Sequence, residues 1–237
     1  MADTTTKKYK HFFFDLDNTI TQSETKITKE MQVLLDSLEQ DVVIVSGSTV
    51  EEVREQTNNL ECFILGQMGN HAVFGDEELW FDALNPDKVV EIMDHATSIP
   101  RDWDIPDVND LLRDMGCQIA FSLYGFSASN EEKEQFDPDG SRRKKILNKY
   151  PLLSDNVEVT ISGSTRLDYT RKGKHKGYNV TRLIEHLAWN PAECVYFGDA
   201  LYENGNDHSV VGIIDTIEVK NQEDTAKKIK ELIHEQQ

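Results

Sequence analysis

No stretch of this 237-residue chain is apolar for long enough to cross a membrane, and its start, Met1-Ala2-Asp3-Thr4-Thr5-Thr6-Lys7-Lys8, has no apolar signal core. The expectation is a cytoplasmic protein with no membrane partner. Cysteine is scarce too. Cys62, Cys117 and Cys194 are scattered, lack any Cys-x-x-Cys spacing and sit in largely apolar surroundings, so they read as reduced core residues rather than disulfides or a zinc site. Basic residues are outnumbered, 25 against 43 acidic ones, for a net charge of -18. That balance argues against nucleic acid or an anionic membrane as a partner, since both need a positive field. An anionic substrate would then require a local basic patch or a metal. Neither an internal repeat nor a low-complexity linker is present, and the length suits one core plus a smaller insert.

Against these absences stands Phe12-Phe13-Phe14-Asp15-Leu16-Asp17-Asn18-Thr19. It is an apolar, strand-like run that ends in two carboxylates one residue apart, followed by a hydroxyl. Residues i and i+2 of a strand share a face, so Asp15 and Asp17 are expected to point together beyond the strand's carboxyl end. Two carboxylates that close either share a divalent cation or leave one of them protonated. Both arrangements suit phosphoryl transfer, although a solvated turn after a core strand would read alike.

The first third of the chain alternates strand and helix, as a parallel sheet with covering helices does. His11 to Asp15 is the first strand, and Met31, Leu34, Leu35 and Leu38 fall at helical spacing after a Thr28 cap. Val42 to Val45 and Cys62 to Leu65 are further strands, with a helix between them running from Ser46-Gly47-Ser48-Thr49 to Asn58. From Asp82 to Arg171 the pattern changes. A helix opens at Asn85-Pro86, loops carry Pro100 and Pro106, and a strand spans Gln118 to Leu123. A helix through Arg142 to Tyr150 then precedes strands at Val157 to Ile161 and Arg166 to Thr170. This suits an antiparallel sheet with helices on one face. Alternation returns with a helix from Tyr178 to Leu187, a strand from Cys194 to Phe197 and a closing helix from Asp224 to Ile233. The expected division is a catalytic core of residues 1–81 and 172–237 with an inserted cap of residues 82–171.

Further segments bear on chemistry. Ser46-Gly47-Ser48 follows a strand, where open α/β sheets place ligands, and its hydroxyls and N–H groups suit phosphate oxygens; an ordinary strand-to-helix turn capped by Ser48 or Thr49 would look the same. Arg171, Lys172, Lys174, His175 and Lys176 form the basic cluster of an acidic chain, so one of these cations can neutralise a phosphate while the others sit in a solvated loop. Gly198-Asp199 ends another strand, and Asn204-Gly205-Asn206-Asp207 follows in the same loop. Asp15, Asp199 and Asp207 could supply the oxygen ligands that a hard divalent ion wants, or serve plain turns.

In that order, Asp15-Leu16-Asp17-Asn18-Thr19, Ser46, Lys176 and Gly198-Asp199 with Asn206-Asp207 resemble the four motifs of the haloacid dehalogenase superfamily of phosphotransferases. The chain is similar above all to its subfamily IIB, phosphomannomutase-like branch, through Lys26-Ile27-Thr28-Lys29-Glu30-Met31, Ser46-Gly47-Ser48, Ser127-Ala128-Ser129-Asn130-Glu131-Glu132-Lys133, Gly198-Asp199 and Gly205-Asn206-Asp207-His208. The resemblance implies an α/β fold, a Rossmann-like core with an α+β cap of type C2, mixed and four-stranded, inserted after the third strand. It implies an aspartyl-phosphate mechanism in which Asp15 attacks phosphorus and Asp17 serves as acid and base. Ser46 and Lys176 would offset phosphoryl charge, and Mg²⁺ would be bound by Asp15, the Asp17 carbonyl and Asp199, with Asp207 orienting the metal's surroundings. Ser48, Arg166, Asp168 and Asn206 are the expected substrate contacts, and a homodimer through the cap is the expected assembly.

The chain also departs from that branch. Asn18 replaces the usual motif-one glycine, and Tyr202-Glu203-Asn204-Gly205 replaces a Pro-Gly-Gly run. Phe126 and Met115 occupy positions of cap arginines, although Arg113 is nearby, and Arg166 stands where a serine is expected. The expected function is therefore a Mg²⁺-dependent phosphatase acting on a small phosphorylated metabolite such as a sugar phosphate. Phosphomannomutase is the alternative, and an inactive metal-binding interaction protein the reading from another class.

Overall fold

The computed structural model describes residues 8–23, 25–203 and 205–236; Asn204 and the start of the chain through Lys7 lie outside the described residues. Two compact units emerge, Met1–Phe81 with His175–Gln237, and Asp82–Lys174. The second junction falls three residues beyond the expected 171/172 boundary.

The first unit begins with β1 (His11–Asp15), α1 (Lys29–Asp36), β2 (Asp41–Val45), α2 (Val50–Gln56) and β3 (Phe63–Gly66). Every residue of β1 is buried because its sheet is covered on both faces, the condition under which parallel strands read as unbroken apolar runs. Phe12 and Phe14 pack with Met31 and Leu35 of α1 and Val50 and Val53 of α2, while Phe13 joins the cluster on the other face. Full burial of each of these rings contributes roughly 1.5–3 kcal/mol. Thr28 caps α1, its side chain accepting from Met31 N, and Thr49 forms a capping box with Glu52 at the start of α2.

A hairpin absent from the sequence-based expectation follows, β4 (His71–Phe74) and β5 (Glu77–Phe81), both antiparallel to their neighbours. The insertion therefore comes after this hairpin and not directly after the third strand. The short β5 ends the sheet with Glu77 and Glu78 exposed, a charged edge that discourages further pairing.

The second unit contains α3 (Pro86–Ser98), β6 (Leu112–Asp114), β7 (Ile119–Ser122), α4 (Asn130–Phe136), α5 (Ser141–Lys149), β8 (Val157–Ser162) and β9 (Arg166–Arg171). Its four strands run in the order β6-β7-β9-β8, and every pairing is antiparallel. This is the antiparallel sheet with helices that the pattern of the segment suited. Alternation supplies the reason for its layering: Ile119 and Phe121 of β7 and Leu167 and Tyr169 of β9 share a face and pack with Ile92 and Ala96 of α3 and, from α5, Ile146 and Leu147. The short β6 and the charged α4 carried too little apolar periodicity to be foreseen.

The chain returns through α6 (Lys176–His186), β10 (Cys194–Gly198), β11 (Asp215–Glu218) and α7 (Gln222–Gln236). The completed seven-stranded sheet has the order β11-β10-β1-β2-β3-β4-β5, and its first five strands are parallel. Ile229 of α7 packs on the face shared by α1 and α2, and Val180, Leu183 and Ile184 of α6 cover the opposite one. All three cysteines are buried and in no disulfide, and burial pushes the thiols of Cys62 and Cys194 up to about 12, so both stay protonated. Among the described residues no helix is long and apolar enough to cross a membrane.

Candidate active site

Register places the chemistry. Phe14 of β1 lies opposite Phe197 of β10 and Ile44 of β2, so Asp15, Ser46 and Asp199 emerge together where the parallel strands end. Asp15 has the parity of Phe13 and therefore points to the face covered by α6. That helix begins at Lys176, two residues before the expected Tyr178, because His175 acts as its N-cap and accepts from Tyr178 N. The early start brings Lys176 to Asp15. Its Nζ donates to Asp15 Oδ1 at 2.5 Å and to Asp207 Oδ1 at 2.7 Å, and its side chain has no exposed surface. Tyr196 Oη donates to the same Asp207 oxygen at 2.6 Å, Ala200 N approaches Asp207 Oδ2 at 3.3 Å, and Thr19 Oγ1 donates to Asp15 Oδ2 at 3.4 Å.

Carboxylate oxygens of Asp15, Asp199 and Asp207 lie within 4.8 Å of one another. Three carboxylates against one ammonium leave two surplus negative charges in a largely buried site. The electrostatics register that surplus. Burial holds Asp15 well above the usual carboxylate range, with Lys176 pulling the other way and Asp207 and Asp199 adding to the rise. Asp199 is raised to about 6, by burial first and then by Asp207. Burial alone would lower the Lys176 pKa, but Asp15 and Asp207 more than reverse it. The Tyr196 hydroxyl is pushed far up by burial and by Asp207, so it remains a donor.

These donors fit a hard divalent cation. All are oxygens, the charge deficit matches a doubly positive ion, and Asn206 Oδ1, next to Asp207 in the chain, is a buried acceptor without a hydrogen-bond partner. Close packing keeps the site in shape. A Cβ on Gly198 would fall 2.5 Å from Asp207 Oδ2, and one on Gly177 would fall 1.9 Å from Ser209 O, so both positions require glycine.

Asp17 lies just beyond the strand. The strand ends at Asp15, and Leu16 O then accepts from the N–H groups of Thr19, Ile20 and Thr21 in a turn where Asn18 takes φ 60°. Asparagine tolerates this left-handed backbone, which is how it replaces glycine there. Strand alternation does not govern Asp17, and its side chain is not among the three clustered carboxylates; its charge nonetheless adds to the rise at Asp199.

Ser46 and Ser48 are both buried, and Ser46 Oγ accepts from Ser48 N at 3.1 Å. The cap of α2 is Thr49, which leaves the two serines free of that duty. Of the basic cluster, Lys176 joins the carboxylates, while Arg171 pairs with Asp82 at 2.9 Å and Lys172 Nζ donates to Ser154 O at 3.3 Å.

Arg166 and Asp168 belong to the second unit. Arg166 donates through Nη2 to Asp168 Oδ2 at 2.7 Å and through Nε to Oδ1 at 3.2 Å, and Ser162 Oγ also donates to Asp168. The guanidinium is thus held by its own strand's carboxylate. Arg113 lies over the Phe126 ring, 4.1 Å from its centroid, and 3.9 Å from Asp110. Sequence reasoning missed Tyr196, because a tyrosine inside an apolar strand carries no mark of what its hydroxyl meets.

Residues 9–203 match the family described as haloacid dehalogenase-like hydrolase. A phosphomannomutase of Encephalitozoon cuniculi is 28% identical over 94% of this chain and 93% of its own, and one of Arabidopsis thaliana is 27% identical over 92% and 94%. Among solved structures, SMU.1108c from Streptococcus mutans aligns with TM-score 0.71 at 15% identity, covering 96% of this chain and 100% of that one. The IMP-bound, N-terminally truncated IMP-nucleotidase of Plasmodium falciparum aligns with TM-score 0.66 at 16% identity over 96% of this chain and 68% of the other. At such identities the structural likeness concerns the fold.

Proposed function

The chain belongs to the haloacid dehalogenase-like hydrolases, and from that membership we propose a Mg²⁺-dependent phosphatase that acts on a small phosphorylated metabolite, a sugar phosphate, through an aspartyl-phosphate. The observation that carries this reading is the wholly buried Lys176 ammonium shared between Asp15 and Asp207, with Asp199 completing a carboxylate cluster. A structural ion pair needs one partner. Here an excess of carboxylate is kept at the ends of parallel strands despite the cost of desolvation.

In this proposal an oxygen of Asp15 attacks phosphorus as the bond to the leaving oxygen breaks, and Asp17 delivers a proton to that oxygen. Asp17, now a carboxylate, takes a proton from water, which attacks the aspartyl-phosphate and frees Asp15 and inorganic phosphate. Lys176 favours the ionised form of Asp15 against the effect of burial and, with the Ser46 hydroxyl, faces the transferring phosphoryl oxygens. Ser48 and Asn206 from the core, and Arg166 and Asp168 from the cap, are assigned to substrate. Asp15, Asp199 and the Asp17 carbonyl would hold Mg²⁺, with Asp207 fixing their surroundings. When bound, the ion neutralises phosphoryl charge and orients its oxygens.

The phosphomannomutase reading is favoured by relatives of that name along nearly the whole chain. Against it stand the uncharged Phe126 and Met115 at positions where the resemblance expects arginines, and an Arg166 already engaged by Asp168. A mutase must hold a bisphosphate by its far phosphate while the intermediate turns round. The deciding experiment offers hexose, pentose and polyol phosphates with Mg²⁺ and follows phosphate release and isomerisation together. Phosphate release should dominate, with little interconversion of mannose 1-phosphate and mannose 6-phosphate even when a hexose 1,6-bisphosphate is supplied. Isomerisation exceeding release would favour the mutase, and no turnover of these or of a generic aryl phosphate would favour an inactive metal-binding protein.

A further inference from the structure

Three consecutive residues with left-handed backbone, Gln67 at φ 53°, Met68 at φ 61° and Gly69 at φ 88°, follow β3 directly. Two of them carry side chains, so the turn is strained and persists only because its surroundings fix it. The fixing bonds lead to the candidate active site. Gln67 N donates to Ser48 O and Met68 N to Ser46 O, both at 2.8 Å. On the far side, Asn179 Nδ2 donates to Met68 O at 3.0 Å. Asn179 is wholly buried and stands on α6, in the helix's first turn with Lys176.

The Asn179 amide is surrounded in one sense only. Its Nδ2 also lies 3.4 Å from Asn70 Oδ1 and 3.5 Å from His175 O, whereas its Oδ1 is buried with no partner. Three acceptors around the NH₂ group leave a single orientation. Gly69 abuts the same side chain, since a Cβ there would fall 2.4 Å from Asn179 Cβ. An apolar residue would fill this space without an orphaned carbonyl, which is costly to bury.

We infer that Asn179 is a positioning residue: through Met68 and the strained turn it holds the Ser46 loop against the start of α6, setting the Ser46 hydroxyl relative to the Lys176 ammonium. The inference rests on the phosphoryl-transfer reading above, in which those two groups face the transferring phosphoryl. Ser46 and Lys176 come from different strand-helix units, so their spacing needs a bridge that neither unit supplies alone, and a small misplacement of such groups is expensive in rate.

A double-mutant cycle tests it on aryl phosphate with Mg²⁺. Asn179→Ala should lower kcat roughly 10- to 100-fold with little change in KM, and Asn179→Ser, which keeps one donor, should recover part of the loss. In a Ser46→Ala background, Asn179→Ala should cost less than about threefold, because no hydroxyl remains to be placed. Losses that multiply in the double variant would overturn the inference. Amide hydrogen exchange gives a readout independent of turnover: Asn179→Ala should speed exchange at Gln67 and Met68 while β1 stays protected, and unchanged exchange there would also overturn it. A wild type that releases no phosphate would sink the functional reading alone, with exchange still deciding whether the bridge exists. If Asn179→Ala does not fold, Asn179→Ser carries the same cycle.

Discussion

In the cap, Arg143 and Asp137 are buried together at 2.6 Å, and Arg143 Nη1 donates to the carbonyls of Ser162 and Gly163, each at 2.7 Å. Arg166 and Asp168 form a second, bidentate pair. In the core, three carboxylates cluster and two of them, Asp15 and Asp207, share the ammonium of Lys176. Both units bury charge, yet the cap matches each of these arginines with a carboxylate, whereas the core leaves an excess. A balanced pair such as Arg143 with Asp137 is architecture that a stable fold tolerates. An imbalance maintained under burial is instead compatible with a bound cation and an incoming substrate.

The strongest challenge to that contrast is Asp15→Ala. It should leave a folded protein with phosphate release below detection, since neither nucleophile nor anionic ligand remains; appreciable turnover would end the mechanism. Asp17→Asn should slow hydrolysis by a factor on the order of 10² to 10⁴, least for substrates whose leaving group needs no protonation, which a series of aryl phosphates would reveal. On the cap side, Arg143→Ala should destabilise the protein by about 3–5 kcal/mol by stranding Asp137. Thermal or denaturant unfolding measures this, and at a temperature where the variant stays folded its phosphate release should match wild type.

The smallest effect sharpens the comparison through pH. Burial holds Asp199 at about 6 in the absence of a cation. Between the ordinary carboxylate value and about 6 the folded state therefore binds more protons than the unfolded chain, and this group's contribution to stability falls as pH rises through the window. A divalent cation reverses that penalty by favouring the ionised form. Mg²⁺ should accordingly raise Tm more near about pH 7.5 than near about pH 5, and a chelator should remove the difference together with activity. Equal shifts at both pH values would break the link between surplus charge and metal.

How much of this was legible beforehand differs between segments. The burial of β1 and its final Asp15 could be read directly, because a run of three phenylalanines has no other stable setting than a packed core. Helix starts at Thr28, Thr49 and Asn85 were visible through their capping side chains. The β4–β5 hairpin was not legible, since its outer strand is charged and partly exposed, nor was β6, which is three residues long. Strand alternation does not extend to Asp17, and nothing local announced that the strand stops at Asp15.

Local chemistry, then, determined which groups this protein has for phosphoryl transfer: paired acids after an apolar strand, a hydroxyl loop after the next, a lysine in the basic cluster and acids after a later strand. Only the tertiary structure decided which of them meet. Parallel register brings three strand ends level, and an N-cap two residues earlier than helical periodicity suggested swings Lys176, and not its basic neighbours, between Asp15 and Asp207. Tyr196 and Asn179 were invisible for the same reason. Whether a buried hydroxyl or amide acts depends on partners distant in the chain, and long-range proximity is a property of packing that no local pattern encodes.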